Sequence, residues 1–168
     1  GLVDGSDYFL AMHIGGGVPS GVFGLNTRGY LCTTKFDATF TGKPAHAAGA
    51  PHEGHNALLA AATAALGLHG IAPHAQGDMR VNVGVLNAGT GRNVIPGSAL
   101  IKAETRGETQ EISDYVYNRA QEILKGAAAM YETQVEIKKM GEGTSASGDA
   151  GLIGRVRKAI LKCDCFNE

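Results

Sequence analysis

The sequence predicts an α+β fold, a four-stranded antiparallel sheet with two helices on one face. Three observations predict it. Four short stretches alternate apolar and polar residues, two longer ones carry apolar residues at helical spacing, and Gly- and Pro-bearing breaks part them in the order β-α-β-β-α-β. That order packs most economically as a ferredoxin-like unit with strands in the sequence 4-1-3-2.

Tyr30 to Thr41 places Cys32, Thr34, Phe36, Ala38 and Phe40 on one face and Thr33, Lys35, Asp37 and Thr39 on the other. This is a strand with one wet face. Asn56 to His69 reads as a helix with Leu58, Ala62, Ala65, Leu66 and His69 on one stripe, stopped by Gly70 and Pro73. Met79 to Leu86 alternates again, with Met79, Val81, Val83 and Val85 together. A glycine-rich loop, Gly89 to Asn93, leads to a third strand, Ala99 to Arg106, in which Ala99, Ile101, Ala103 and Thr105 share a face. Glu108 to Tyr131 is the clearest helix, striped by Ile112, Val116, Ala120, Ile123, Ala127 and Met130, with Glu108 and Glu111 at its positive end. Thr133 to Met140 closes the unit as the fourth strand.

Both ends of the chain fall outside this unit. Asp7 to Ile14 suits a short buried strand, broken by Gly15, Gly16 and Gly17. Gly141 to Gly148 reads as a small-residue linker, and Leu152 to Leu161 as a helix. The expected division is an end piece at 1–29, a compact domain at 30–140, and a linker with a returning helix at 141–168.

The net charge of −1 argues against a nucleic-acid or anionic-membrane partner, and no apolar run has the length of a membrane span. No signal-peptide pattern opens the chain. The three cysteines, Cys32, Cys163 and Cys165, form no disulfide framework, so a reduced, cytoplasmic setting is the simpler expectation. Cys163 and Cys165 alone close no metal site, because two ligands are too few.

His13 ends its apolar run, where a metal ligand would fit, although a histidine at a strand end is more often structural. His46 sits in Gly42-Lys43-Pro44-Ala45-His46-Ala47-Ala48, past the first strand. Its small neighbours leave the imidazole uncovered, which suits a ligand contact and a plain surface loop equally. His52 and His55 read as a surface pair. The Gly89-x-Gly91-x-Asn93 run is a strand connection rather than a phosphate loop, since no helix opens after it. Arg106, taken alone, is a solvated arginine at the end of a strand.

Taken together, several stretches resemble the M20 metallopeptidase and amidohydrolase family. They are Asp7 to Ile14, Phe40 to Ala47, Asn56 to Ala62, Gly89 to Pro96 and Glu104 to Gly107. The resemblance covers nearly the whole chain and implies that it is the lid, or dimerisation, domain of an enzyme that cleaves the amide of an acyl-amino acid. It implies that His46 is catalytic, helping to bind substrate and stabilise the transition state across a dimer. Asn93 and Arg106 would hold the substrate carboxylate or the developing oxyanion, and His13 would be one metal ligand. The family site carries two divalent ions, here expected to be zinc or manganese, with a glutamate as general base. The Cys-x-His, His-x-Asp and Glu-Glu motifs of that site are not in this sequence. The complete enzyme is therefore expected to be a metal-dependent hydrolase, and this chain to hold no metal tightly, because one imidazole cannot supply the three ligands of a catalytic zinc.

The expected partners are a small acyl-amino acid, a second copy of the chain and, by the resemblance, a further hydrolase subunit. The second strand is the expected dimer edge, since 79–86 offers Val81 to Leu86 without charge or proline, whereas Glu136, Lys138 and Lys139 guard the fourth. A small-molecule-sensing ferredoxin-like module without catalysis is the alternative. An RNA-binding module fits poorly, because Thr33, Lys35, Asp37, Asn82, Lys102 and Glu104 on the open faces include no aromatic to stack bases.

Overall fold

The computed structural model describes residues 4–8, 10–13, 17–25, 30–145 and 148–163. The chain divides into two units, residues 30–145 and the segments on either side of them. In the first, β1 (Cys32–Thr41), β3 (Met79–Ala88), β5 (Ser98–Gly107) and β6 (Gln134–Gly143) form one sheet in the order β3-β5-β1-β6, all neighbours antiparallel. This is the expected 4-1-3-2 order. Two short strands, β2 (Ala45–His46) and β4 (Val94–Ile95), pair separately. Helices α1 (Ala57–His69) and α2 (Gln110–Met130) cover one face.

Each helix starts on a side-chain cap. Asn56 Oδ1 accepts from the Leu59 amide, and Thr109 Oγ1 from the Ile112 amide, satisfying donors that the first turn leaves unpaired. Glu108 does not cap α2; its carboxylate accepts from the Asp78 amide instead, at 2.9 Å, and ties the β3 entrance to the end of β5.

Phe36, Phe40, Ile101, Ile112, Val116, Leu124 and Leu68 are fully buried between sheet and helices. The alternation read in the first and third strands is the alternation observed. Three expectations of face fail. On α1 the buried residues are Ala57, Ala60, Ala61, Ala64 and Leu68, while Leu66 is 79% exposed. The helix is apolar nearly all round, so spacing alone cannot choose its inner face; the alanines are chosen because they let α1 approach the sheet and α2 closely. On β3, Val85 does not stay with Met79, Val81 and Val83. A bulge between Val83 and Val85 shifts the register and turns Val85 to the open face opposite Lys102. On α2, Leu124 takes the inner place, and Met130 is exposed. The fourth strand also runs on through Gly143, pairing with Thr33 beyond a bulge, where a linker was expected from Gly141.

In the other unit, α3 (Ala150–Ile160) is capped by Asp149, whose Oδ1 accepts from the Leu152 amide at 2.7 Å. The buried strand expected over Asp7 to Ile14 is not seen in the described part of that range, which leaves out Phe9 and Ile14. Among its described residues there is no strand, and Tyr8, Leu10 and Met12 are exposed. A strand needs a neighbour for its N–H and C=O groups, and no described segment supplies one. Gly15, Gly16 and Cys165 lie outside the described residues.

Candidate functional site

β1 ends at Thr41, and the chain then turns tightly around Gly42, whose position against the His55 carbonyl leaves no room for a Cβ. Lys43 and His55 exchange backbone hydrogen bonds across this turn, at 3.0 and 2.9 Å. The chain emerges into β2 and places His46 opposite Val94 of β4. The Ala47 amide then donates to the Asn93 carbonyl at 3.0 Å. His46 and Asn93 thus sit side by side on two short strands laced together beyond the sheet.

The ring of His46 is held by its own turn. The amides of Gly49 and Ala48 donate to Nδ1 at 2.9 and 3.2 Å. A nitrogen that accepts two N–H groups carries no proton, so the ring proton is on Nε2, and the exposed edge of the imidazole is a hydrogen-bond donor. The small residues of Ala47-Ala48-Gly49 serve a purpose here, since their amides reach back unhindered.

Arg106 stands elsewhere. The start of β5, Ser98, pairs with Thr41, and Arg106 pairs with Thr33 at the opposite end of both strands. Eight residues of strand at about 3.3 Å each put roughly 26 Å between the two ends. Arg106 lies on the open face, and Glu104 Oε1 accepts from its Nε at 3.0 Å with Nη2 at 2.8 Å. Its planar fork is held in place, with other donors pointing away.

Two hollows flank these residues. One of about 570 Å³ lies at the His46 end, between Pro44, the end of β3 at Asn87 and the loop through Thr90, Val94 and Pro96. The other, about 300 Å³, lies on the open face between Lys35, Asp37, Asn82, Lys102 and Glu104, one row from Arg106. His13 is exposed in the other unit. Among the described residues, no three His, Cys, Asp or Glu side chains converge on a point that could hold a metal ion. The described residues at these two ends of the sheet can contribute hydrogen bonds and charge.

Sequence spacing alone did not find the amides of Ala48 and Gly49 as the partners that orient His46, although the run of small residues was their visible sign. It also did not find Arg80, which the sheet register sets directly opposite Arg106.

Known proteins match this chain over most of its length. The peptidase dimerisation domain of the M20 type matches residues 33–132. The indole-3-acetyl-aspartic acid hydrolase of Enterobacter agglomerans is 56% identical over 162 residues, which is 96% of this chain and 37% of that protein. A p-aminobenzoyl-glutamate hydrolase subunit of Escherichia coli K12 is 56% identical over 147 residues, 88% of this chain and 34% of that protein. The crystal structure of the aminobenzoyl-glutamate utilization protein from Klebsiella pneumoniae superposes with a TM-score of 0.89 at 50% identity, covering 99% of this chain and 42% of that one. The chain thus spans well under half the length of these relatives. No helix among the described residues is long and apolar enough to cross a membrane. By its match over residues 33–132 and by its fold, this chain belongs to the M20 peptidase dimerisation domain family.

Proposed function

We propose that this chain is the lid of a metal-dependent amidohydrolase that cleaves the amide of an acyl-amino acid, aminobenzoyl-glutamate or a similar acidic conjugate. The carrying observation is the state of His46, whose ring is oriented by two backbone amides and presents Nε2–H at the surface beside Asn93. A fixed donor of this kind suits the oxyanion of a tetrahedral intermediate. The relatives named for aminobenzoyl-glutamate and indole-acetyl-aspartate support an acidic amino acid as the amine half. The ions, zinc or manganese, and the general base would come from a catalytic domain. The segments at 1–29 and 146–168 would be the ends of that domain, with His13 returned to its metal site. When bound, the ions would polarise the carbonyl and activate water. A cytoplasmic setting fits the unpaired Cys32 and Cys163. A further hydrolase subunit fits the Escherichia coli relative, which is named as one subunit of its hydrolase.

The test is hydrolysis of p-aminobenzoyl-L-glutamate by the full-length enzyme and its Arg106→Lys variant. Lysine keeps the charge and loses the planar fork that binds both carboxylate oxygens at once. KM is expected to rise about 10-fold or more with kcat changed little, the mark of lost uniform binding. No hydrolysis by the wild-type enzyme would refute the assignment.

Dimerisation belongs to the same proposal. β3 and β6 are the two edges of the sheet. On β6, Lys139 pairs with Glu142 at 2.6 Å, a bond that raises the lysine pKa, and Glu136 and Lys138 add further charges along this edge. β3 carries no charge from Val81 to Ala88, and Val85 and Leu86 are exposed on it. α1, which packs on β3 and β5, shows Leu59 and Leu66 to solvent. These apolar groups suit a two-fold joining β3 to β3. The double variant Leu66→Lys/Leu86→Lys is expected to weaken the dimer at least about 10-fold, read by light scattering against concentration. A dimer of unchanged strength would move the interface to another surface.

A further inference from the structure

The open face of the sheet carries an arrangement that the roles above leave unused. Arg80 of β3 lies directly opposite Arg106 of β5. Both belong to the open face, because Met79 and Val81 on one strand and Thr105 and Gly107 on the other point to the helices. Like charges directly opposed on neighbouring strands are unfavourable unless something anionic lies between them. The row holds no acid of its own, since the third residue across it is Thr33. Each arginine is instead tied to an acid two residues before it in the chain, Asp78 just ahead of β3 and Glu104 within β5. Arg80 Nη2 bonds Asp78 at 3.2 Å, with Nη1 donating to the Met79 carbonyl at 2.7 Å, and Arg106 bonds Glu104. These bonds use one edge of each guanidinium and fix its plane. A guanidinium has five N–H donors, so both retain donors for a ligand. The side chains are 60% and 44% exposed, so a ligand can reach them. Beside them opens the hollow between Lys35, Asp37, Asn82, Lys102 and Glu104.

We infer that Arg80 is a specificity-determining residue, and that Arg80 and Arg106 together bind the two carboxylates of a dicarboxylic amino acid. Neighbouring strands lie about 4.8 Å apart, a span close to that between the two carboxylates of glutamate or aspartate. One guanidinium takes each carboxylate, and the amide to be cleaved extends from the α-carbon between them. A single arginine would recognise any amino acid by its α-carboxylate; the second makes the acidic side chain a requirement. This inference rests on the reading of Arg106 as the carboxylate residue.

The experiment compares p-aminobenzoyl-L-glutamate with p-aminobenzoyl-L-glutamine, which differ only in the charge of the side chain. The full-length enzyme is assayed as wild type, Arg80→Gln and Arg106→Gln. Arg80→Gln is expected to lower kcat/KM for the glutamate amide about 10- to 100-fold, the loss of one charge-assisted hydrogen-bonded pair, and to change the glutamine amide less than about threefold. Arg106→Gln is expected to lower both. Arg80→Lys should recover part of the preference, because the charge returns without the fork. A parallel fall on both substrates, or none on either, would overturn the role of Arg80 and leave the hydrolase assignment standing. An Arg106→Gln variant that acts on both substrates like wild type would remove the foundation in Arg106. A wild-type enzyme that cleaves neither substrate would remove the hydrolase assignment itself. Unchanged melting temperature and oligomeric state identify an effect as one of recognition.

Discussion

His46→Ala in the full-length enzyme is expected to lower kcat about 10²- to 10³-fold while changing KM little, the scale seen when one oxyanion donor is removed. The reason lies in how the imidazole is held. The Ala48 and Gly49 amides occupy Nδ1, so His46 offers a proton from Nε2 and nothing from its other nitrogen. A donor held before substrate arrives needs no reorganisation as charge develops on the oxygen, and its benefit is greatest in the transition state. This predicts a loss in kcat, since uniform binding would appear in KM. His46→Gln restores an N–H donor on a flexible stem and should recover part of the rate. His46→Asn can accept from the turn through its Oδ1 and yet has no donor at the Nε2 position, so it should remain as slow as alanine. The order Gln above Asn separates donation from mere support of the turn. Loss of less than about threefold in His46→Ala would show that this donor does not meet the reacting oxygen.

The sheet was legible because each strand had one wet face and one dry one. The strict alternation from Cys32 to Phe40 and from Ala99 to Thr105 is what a half-covered sheet requires, and the helices between them fix the order of strands. The inner face of α1 was not legible. A helix with Leu58, Leu59, Leu66 and Leu68 spread around it offers several apolar stripes, and only packing against α2 and β3 selects the alanine side. Val85 was misplaced for a different reason: one bulge residue reverses every later side chain, and neither Val83 nor Val85 announces it. The pairing of His46 with Asn93 followed from strand direction alone, since the end of β1 and the start of β5 must meet in an antiparallel pair. The opposition of Arg80 and Arg106 did not follow, because the register of two strands joined by a long glycine-rich loop is set by the bulge as well as by the alternation. Asp7 to Ile14 has the composition of a buried strand and lacks a partner among the described residues.

Mixing two inactive variants, His46→Ala and Arg106→Ala, is expected to restore activity. Within one lid these residues lie at opposite ends of β1 and β5, roughly 26 Å apart, a gap no side chain spans. If one substrate touches both, they come from different protomers. His46 and Asn93 travel together, because the Ala47 amide is bonded to the Asn93 carbonyl. In a homodimer of His46→Ala, both sites lack the donor; in a homodimer of Arg106→Ala, both lack the carboxylate clamp. In the mixed dimer, one site takes His46 from the Arg106→Ala protomer and Arg106 from the His46→Ala protomer, so it is intact. The other site carries both substitutions. Each mixed dimer should therefore reach about half of wild-type activity, and random exchange, which makes half the dimers mixed, should give about a quarter in the pool. Exchange of protomers is verified by mass spectrometry on differently labelled chains, and the activity should rise on the same time course as the mixed species. The variant pair His46→Ala and Asn93→Ala is the control. Those residues share a lid, so each site of that mixed dimer lacks one of them and no recovery is expected. Full exchange without recovery in the first pair would place His46 and Arg106 at separate sites, and equal recovery in both pairs would mean that the activity does not come from one intact site.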